Sequence, residues 1–168
     1  MLDAKIRPWW HWLAISMVVV ALDQATKVFI QQSFAGGESV RVTPFFNLVL
    51  AYNKGAAFSF LADAGGWQRG FFITLAVVIS TFLLWMMRGH PGNRLLCVAL
   101  ALVFGGALGN LYDRVVLGHV VDFIQLHAAG YYFPAFNVAD SAISVGAGLL
   151  IIDSFRKQPP ASTASQGQ

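Results

Sequence analysis

The chain has 168 residues, of which 57% are hydrophobic and only 11% are charged, whereas a typical soluble domain carries about 25% charged residues. So few charged side chains cannot cover the surface of a soluble domain, and the net charge of +3 is not gathered into a basic cluster. The composition therefore excludes a disordered chain, an ordinary cytosolic enzyme and a nucleic-acid-binding module, and it leaves an integral membrane protein.

Four stretches are long and apolar enough to cross a membrane, since a spanning helix needs about 20 mostly apolar residues. The predicted spans are approximately 10–30, 69–88, 94–113 and 136–155. The first carries Asp23 and Lys27, and the fourth carries Asp140 and Asp153. The pattern predicts an all-α membrane protein with a single domain at 1–157. A polar tail at 158–168 is predicted to be disordered and cytoplasmic.

The basic residues outside the spans set the orientation. They are Lys5, Arg7, Arg88, Arg94, Arg156 and Lys157. Because positive charge collects on the cytoplasmic side, both termini and the short second loop are predicted to be cytoplasmic, and the two longer connections extracytoplasmic. The N-terminus could instead be a cleavable signal peptide, but no small-x-small cleavage site follows it. Trp9, Trp10 and Trp12 are typical of an interfacial aromatic anchor.

The first external segment, approximately 38–60, differs from the spans. It alternates at 39–42, contains β-prone residues at 45–52 and has a turn signal at 53–55, so a small extracytoplasmic β element is predicted. The single cysteine, Cys97, lies in the third span and is interpreted as a packing residue.

The positions of the ionisable residues along the spans place most of them near the predicted extracytoplasmic side. Arg7 and Arg156 mark the predicted cytoplasmic ends of the first and fourth spans. Asp23 and Asp140 each lie sixteen residues along the helix from those arginines, which is about 24 Å. The others expected in the outer third are Lys27, Asp113, Arg114 and Asp122, the last in the loop before span four. Ionisable residues in a span cost free energy unless they are paired or wetted, so they indicate a functional site.

Individual residues leave alternatives open. Asp23 and Lys27 have the i, i+4 spacing of a helical ion pair, which favours a supporting role. Arg114 could contact substrate or could be an arginine whose head reaches the interface. Asn137 and Asp140 could be the N-cap and third residue of a helix, and they could also hold a carboxylate at a wet helix mouth.

Two carboxylates at one site favour aspartic-protease chemistry, because neighbouring acids cannot both ionise and so share a proton. The sequence has no His-Glu-x-x-His zinc motif and no Gly-x-Ser-x-Gly motif. Lys54 and Ser59 lack an orienting partner, and His119 and His127 have no Cys or Glu beside them.

Together these stretches resemble the lipoprotein signal peptidase (type II signal peptidase) family, from Trp12 to about Phe155. Five blocks carry the resemblance: Asp23-Gln24-x-x-Lys27, Asn53-x-Gly55-Ala56-Ala57-Phe58, Gly105 through Arg114, Val120 through Ile124, and Phe136 through Ile143. The tail and residues 61–67 carry no such signal.

The resemblance implies an aspartic endopeptidase of the bacterial inner membrane, with its active site towards the periplasmic face. It would remove the signal peptide of a diacylglyceryl-modified prolipoprotein by cleaving before the lipidated cysteine. Asp122 and Asp140 match the catalytic dyad, and Asp23 and Lys27 match a supporting block. Residues matching the substrate site are Asn53, Gly55, Asn110, Arg114, Asn137 and Ala139.

The same resemblance implies no metal or other cofactor. Membrane lipids are implied as partners, and globomycin-like cyclic peptides are implied as inhibitors that occupy the dyad. Two alternatives remain: a small proton-coupled transporter, whose sites usually lie near the midplane between internal repeats, and a non-catalytic membrane assembly protein. The acids here are displaced outward and no repeat is found, which favours the peptidase.

Overall fold

A computed structural model of the protein describes residues 8–55 and 65–156. A 3-10 turn at Trp9–Trp12 leads into α1 (Leu13–Ser33), and three further helices follow, α2 (Trp67–Gly89), α3 (Arg94–Val116) and α4 (Val138–Phe155). All four are long and apolar enough to cross a membrane, and they begin and end within a few residues of the four predicted spans. Predictions on the tail and on Lys5, Arg7 and Ser59 lie outside the described residues.

Two helices begin at asparagines whose side chains cap them. Asn93 accepts a hydrogen bond from the backbone N–H of Leu96 at the start of α3. Asn137 and Asp140 form a reciprocal capping box at the start of α4, which bears out the capping role that the sequence left open for that pair. Each cap satisfies backbone N–H groups that a helix start leaves without partners, so both helices begin at fixed residues.

The central helix of the bundle is α3, which packs against α1, α2 and α4. Its most apolar stretch is 56% buried, compared with 17% for α2 and for α4. The other helices turn large apolar side chains outward, among them Met17, Phe29, Trp85 and Ile151. Outward apolar side chains are expected where lipid tails, not water, surround a helix.

Glycines let the neighbours of α3 approach its backbone closely. A Cβ on Gly109 would lie 2.6 Å from the Asp23 carboxylate, and one on Gly106 would collide with the carbonyl oxygen of Ala139. A Cβ on Gly105 would lie 2.9 Å from Ser16. These small residues therefore set the spacing of α1 and α4 against α3, as is common in membrane helix packing.

A four-stranded antiparallel sheet completes the fold. Its strands are β1 (Ser39–Thr43), β2 (Phe46–Asn53), β3 (Val120–Ala128) and β4 (Tyr131–Tyr132), in the order β1-β2-β3-β4. The sequence predicted β structure only in the first connection and placed Asp122 in a loop, but Asp122 lies on β3, opposite Ala51. The prediction was incomplete: the apolar residues at 120–121 and 123–124 are β-prone, but the segment becomes a strand by pairing with β2, about 70 residues earlier in the chain.

The sheet packs on one end of the helix bundle through a small apolar cluster. Ile30 of α1, Leu50 of β2, and Val121 and Phe123 of β3 are buried together. This contact brings β3 close to the last turns of α1 and α3 and to the first turn of α4. The polar residues of these elements therefore meet between the sheet and the bundle.

Substituting Gly109 with alanine is expected to destabilise the protein, because the new methyl group would overlap the buried Asp23 carboxylate. Overpacking of this kind costs about 1–3 kcal/mol. The measurement is thermal unfolding in detergent. Gly148→Ala is the matched control, since nothing lies within 4 Å of a Cβ there; equal melting temperatures for the two variants would contradict the expectation.

Candidate active site

A cavity of about 740 Å³ opens between the sheet, the C-terminal end of α3 and the N-terminal end of α4. One wall is polar and is formed by Asn53, Lys54, Asn110, Arg114, Asp122 and Asp140. The other is mainly apolar and includes Phe133, Pro134, Phe136, Ile143 and Val145. Two carboxylates from different elements, Asp122 on β3 and Asp140 on α4, thus share one cavity.

The Asp122 carboxylate is held by two asparagine amides. Asn53 donates to one oxygen at 3.0 Å, and Asn137 donates to the other at 2.7 Å. Asn53 lies on β2 two residues from Ala51, which pairs with Asp122, so both side chains project from the same face of the sheet. Asp122 is 3% exposed, and the two amides fix the orientation of its carboxylate from both sides.

The Asp140 carboxylate is held in the same way at the start of α4. The Asn110 amide donates to one oxygen at 2.7 Å, and the backbone N–H of Asn137 donates to the other at 3.3 Å. Because Asn137 also donates to Asp122, one asparagine connects both acids. The two sequence interpretations of Asp140, as a helix cap and as a carboxylate at the helix mouth, therefore hold together.

The pKa of the Asp122 carboxyl is raised from its ordinary value to about 7, mainly by burial and also by the nearby charge of Asp140. The hydrogen bonds from Asn53 and Asn137 and the charge of Lys27 act in the opposite direction. Desolvation outweighs these contacts because the amides are neutral donors. Asp122 consequently exchanges its proton near neutral pH, where a general acid or base is most effective.

Behind the cavity wall lies a buried ion cluster. Lys27 Nζ lies 2.7 Å from Asp23 Oδ2 and 2.8 Å from Asp113 Oδ2, and these side chains are at most 2% exposed. Lys27 also donates to Asn110 Oδ1 at 3.0 Å, while Gln24 donates to Asp113 Oδ1 at 2.9 Å. The predicted ion pair between Asp23 and Lys27 is present, and Asp113 extends it to α3.

This cluster reaches the backbone immediately before each cavity carboxylate. Asp23 Oδ1 accepts the N–H of Ala139 at 2.9 Å, one residue before Asp140. Asp113 Oδ2 accepts the N–H of Val121 at 3.2 Å, one residue before Asp122. The two acids of the cluster therefore fix the chain positions from which the two cavity acids project.

Arg114 lies at the rim of the same cavity. Its guanidinium donates to the carbonyl oxygen of Gly55 at 3.1 Å and to that of Asn110 at 3.3 Å, and it lies 5.0 Å from the centre of the Phe72 ring. The Gly55 N–H donates to Asn53 Oδ1 at 3.0 Å. Arg114 thus ties α3 to the chain segment that carries Asn53.

All ten residues singled out from the sequence meet in this region, but not in the same way. Asn137 and Ala139 are fully buried behind the cavity, and neither they nor Gly55 line it, so the assignment of these three to a substrate site stays a prediction. Asn137 holds both cavity acids through its amide and its backbone N–H, and the Ala139 N–H donates to Asp23.

Two residues for which the sequence predicted no role in the site also belong here, Gln24 and Asp113, although the depth of Asp113 had placed it with the other ionisable residues. A signal for Asp113 was its i, i+3 spacing from Asn110, which places both on one face of α3. Within residues 8–55 and 65–156, no group of three or more His, Cys, Asp or Glu side chains is arranged to hold a metal ion.

Comparison with known proteins identifies close relatives. The family model described as signal peptidase (SPase) II matches residues 15–156. Two proteins named lipoprotein signal peptidase, from Cupriavidus taiwanensis and Ralstonia nicotianae, are 59% and 58% identical over 87% of this chain, which covers 83% and 84% of their lengths.

Two solved structures share the fold. Both are described as a bacterial membrane enzyme solved by the in meso method, one at 2.3 Å resolution and the other at 1.9 Å. The first has a TM-score of 0.78 at 35% identity and covers 90% of this chain and 94% of its own. The second has a TM-score of 0.77 at 37% identity, with 88% and 94% covered. With four apolar helices and a match along most of its length, this multi-pass membrane protein belongs to the signal peptidase II family.

Proposed function

We propose that this protein is an aspartic endopeptidase that removes the signal peptide from diacylglyceryl-modified prolipoproteins by cleaving before the lipidated cysteine. The observation that carries the proposal is the pair Asp122 and Asp140. They come from different elements, open into one cavity, and have their oxygens held by amide donors. The relatives named lipoprotein signal peptidase support the substrate class.

In this mechanism the two carboxylates share one proton. The ionised member takes a proton from a water molecule, whose oxygen then attacks the carbonyl carbon of the scissile peptide bond. The protonated member donates its proton to the carbonyl oxygen, which gives a tetrahedral intermediate with two hydroxyl groups. As the C–N bond breaks, the member that took the proton from water donates it to the leaving amine, and the other member recovers its proton from a hydroxyl of the intermediate. The raised pKa of Asp122 supports a singly protonated pair at neutral pH, because burial and the neighbouring Asp140 charge both oppose its ionisation.

The cavity walls fit a lipid-linked peptide. The apolar wall, which includes Phe136, Ile143 and Val145, suits an apolar signal segment, while Asn53, Arg114 and the acids offer polar groups to its backbone. A membrane-embedded signal peptide and a diacylated cysteine both keep the scissile bond at the lipid interface. A cavity at the ends of the spans would meet the bond at that depth.

The proposal includes the setting of the enzyme. The basic residues flanking the spans support a bacterial inner-membrane protein with cytoplasmic termini and a periplasmic cavity. Membrane lipids would surround the helices, and a globomycin-like cyclic peptide would compete with substrate for the space beside the two aspartates. The family match favours this peptidase over the transporter and assembly alternatives.

Asp122→Asn and Asp140→Asn are each expected to reduce cleavage to background. An amide has nearly the same shape as a carboxylate but can neither accept nor release the catalytic proton. The measurement is turnover of a diacylglyceryl-modified prolipoprotein by reconstituted enzyme, followed as a gel shift, with and without a metal chelator.

Asp153→Asn is the matched control, since Asp153 lies at the other end of α4 and accepts hydrogen bonds from Asn93. It should retain wild-type turnover, and all three variants should melt cooperatively in detergent. Full activity in either dyad variant, or loss of activity on chelation, would argue against the mechanism.

The cleavage rate is expected to fall as the pH rises through about 7, the raised pKa of Asp122. A raised pKa means that the proton is retained up to that pH. Above it both acids are ionised, and no general acid remains. The measurement is a kcat profile between pH 5 and 9 in vesicles of constant composition.

Asn53→Ala should move that alkaline limb to higher pH, because the hydrogen bond from Asn53 lowers the pKa of Asp122. Asn47→Ala, on the same strand but bonded to Gln125 and His127, is the control. If the alkaline limb stays in place in Asn53→Ala, or moves equally in both variants, the fall in kcat is not caused by ionisation of Asp122.

The proposed orientation is tested with single cysteines at two exposed sites, Val42→Cys on β1 and Gly92→Cys between α2 and α3. A membrane-impermeant thiol reagent applied from the periplasmic side should label position 42 and not position 92. The unsubstituted chain is the blank, because Cys97 is fully buried. Labelling of position 92 and not of position 42 would contradict the proposed orientation and indicate the opposite one.

A further inference from the structure

One edge of the sheet carries a cluster of exposed aromatic and aliphatic side chains. Tyr131 is 84% exposed, Tyr132 62% and Phe133 53%, and Phe45 and Leu126 beside them are also exposed. These five residues, called the aromatic edge below, surround a shallow groove of about 500 Å³ that also includes His127 and Pro134. Contiguous exposed apolar surface of this kind marks contact with a partner or a membrane.

The charge pattern separates this edge from the opposite edge of the sheet. No Asp, Glu, Lys or Arg occurs from Phe123 to Ala139, which includes most of β3 and all of β4. The opposite edge strand, β1, contains Arg41 and follows Glu38, both exposed. Edge strands that face water are commonly protected by charged residues, so the two edges are suited to different surroundings.

The aromatic edge also lies where the spans end. β4 leads within a few residues into α4, which begins at Val138. Two other span ends at this side of the bundle carry exposed aromatic residues, Trp67 at the start of α2 and Tyr112 near the end of α3. Tyrosine and tryptophan concentrate at the headgroup level of a bilayer, where one end of the ring is apolar and the other is wet.

We propose that the aromatic edge is inserted into the headgroup region of the leaflet on the cavity side, so that the lipid bilayer is its partner. The tyrosine hydroxyls would face the headgroups. His127, which stacks on Tyr132 at 5.2 Å and contacts Asn47 at 3.1 Å, adds a polar group beside them. The sheet is then held on the membrane at this edge and faces water at β1.

This contact has a consequence for the cavity, because Phe133 and Pro134 line both the groove and the cavity with the two aspartates. Insertion of the edge fixes the height of that shared wall relative to the lipid. A lipid-linked substrate would therefore reach the acids by lateral diffusion at a constant depth. This consequence rests on the proposed function, whereas the insertion itself does not.

Insertion is tested by fluorescence depth measurement on the full chain in vesicles of phosphatidylethanolamine and phosphatidylglycerol. A bimane label at Tyr131→Cys is compared with the same label at Val42→Cys on β1, and the unlabelled buried Cys97 again serves as the blank. The label at position 131 should emit at shorter wavelength. Lipids brominated on their acyl chains should quench it at least twofold more strongly than the label at position 42.

Equal quenching and water-like emission at both positions would overturn the proposal. That same outcome is expected if the edge binds another protein, since these vesicles contain no other chain. The measurement needs no catalysis, so it stands or falls independently of the proposed peptidase activity.

A kinetic comparison tests the consequence for substrate. Tyr131→Ser/Tyr132→Ser should raise the KM for a lipidated substrate in vesicles several-fold and leave kcat unchanged, because the acids are untouched. Val40→Ser/Val42→Ser is the matched control on β1 and should change neither constant. A KM unchanged in the tyrosine variant, or raised equally in both, would contradict a role of the edge in presenting the cavity to lipid.

Discussion

The fold and the site both depend on the buried lysine of α1, Lys27, which lies between Asp23 and Asp113. Buried charges are costly by several kcal/mol each unless every donor and acceptor is satisfied. Here the partners come from several elements: Asn110 of α3, the Val121 N–H of β3 and the Ala139 N–H of α4. The cluster is satisfied only when these elements have met, so assembly of the bundle and construction of the site are one event.

This arrangement also explains why the pKa of Asp122 stays high. The buried cation is committed to Asp23 and Asp113, and the Arg114 guanidinium donates to backbone carbonyls. Asp122 is held by neutral amides, which orient a carboxylate without balancing its charge. Burial therefore prevails and keeps the pKa of Asp122 near neutrality. A direct salt bridge to Asp122 would have favoured the ionised form and removed the proton that the proposed mechanism needs.

The glycines of α3 allow close helix packing at the same positions where buried polar groups lie. Gly109 leaves room for the Asp23 carboxylate, and Gly106 leaves room for the Ala139 carbonyl. Without a hydrophobic driving force between helices in lipid, contacts of this kind carry much of the association. In the proposed membrane contact, the charge-free edge of the sheet would face lipid and the charged β1 edge would face water, so the cavity would lie at the boundary that a lipid-linked substrate occupies.

The sequence by itself determined the four apolar helices and the ion pair of Asp23 with Lys27, and it offered the capping role of Asn137 and Asp140 and the motif residues proposed for the site. Each of these features depends on residues close together in the chain: apolar runs, i, i+3 and i, i+4 spacings, and short motifs. Spans are recognisable because, in lipid, the backbone N–H and C=O groups must form their hydrogen bonds within each helix. Only the tertiary structure decided that Asp122 lies on a strand, that Asp113 joins Lys27, and that Asn137 and Ala139 stand behind the cavity. Those facts depend on pairing between residues far apart in the chain, such as Ala51 with Asp122, and such pairing leaves no periodic signal in the sequence.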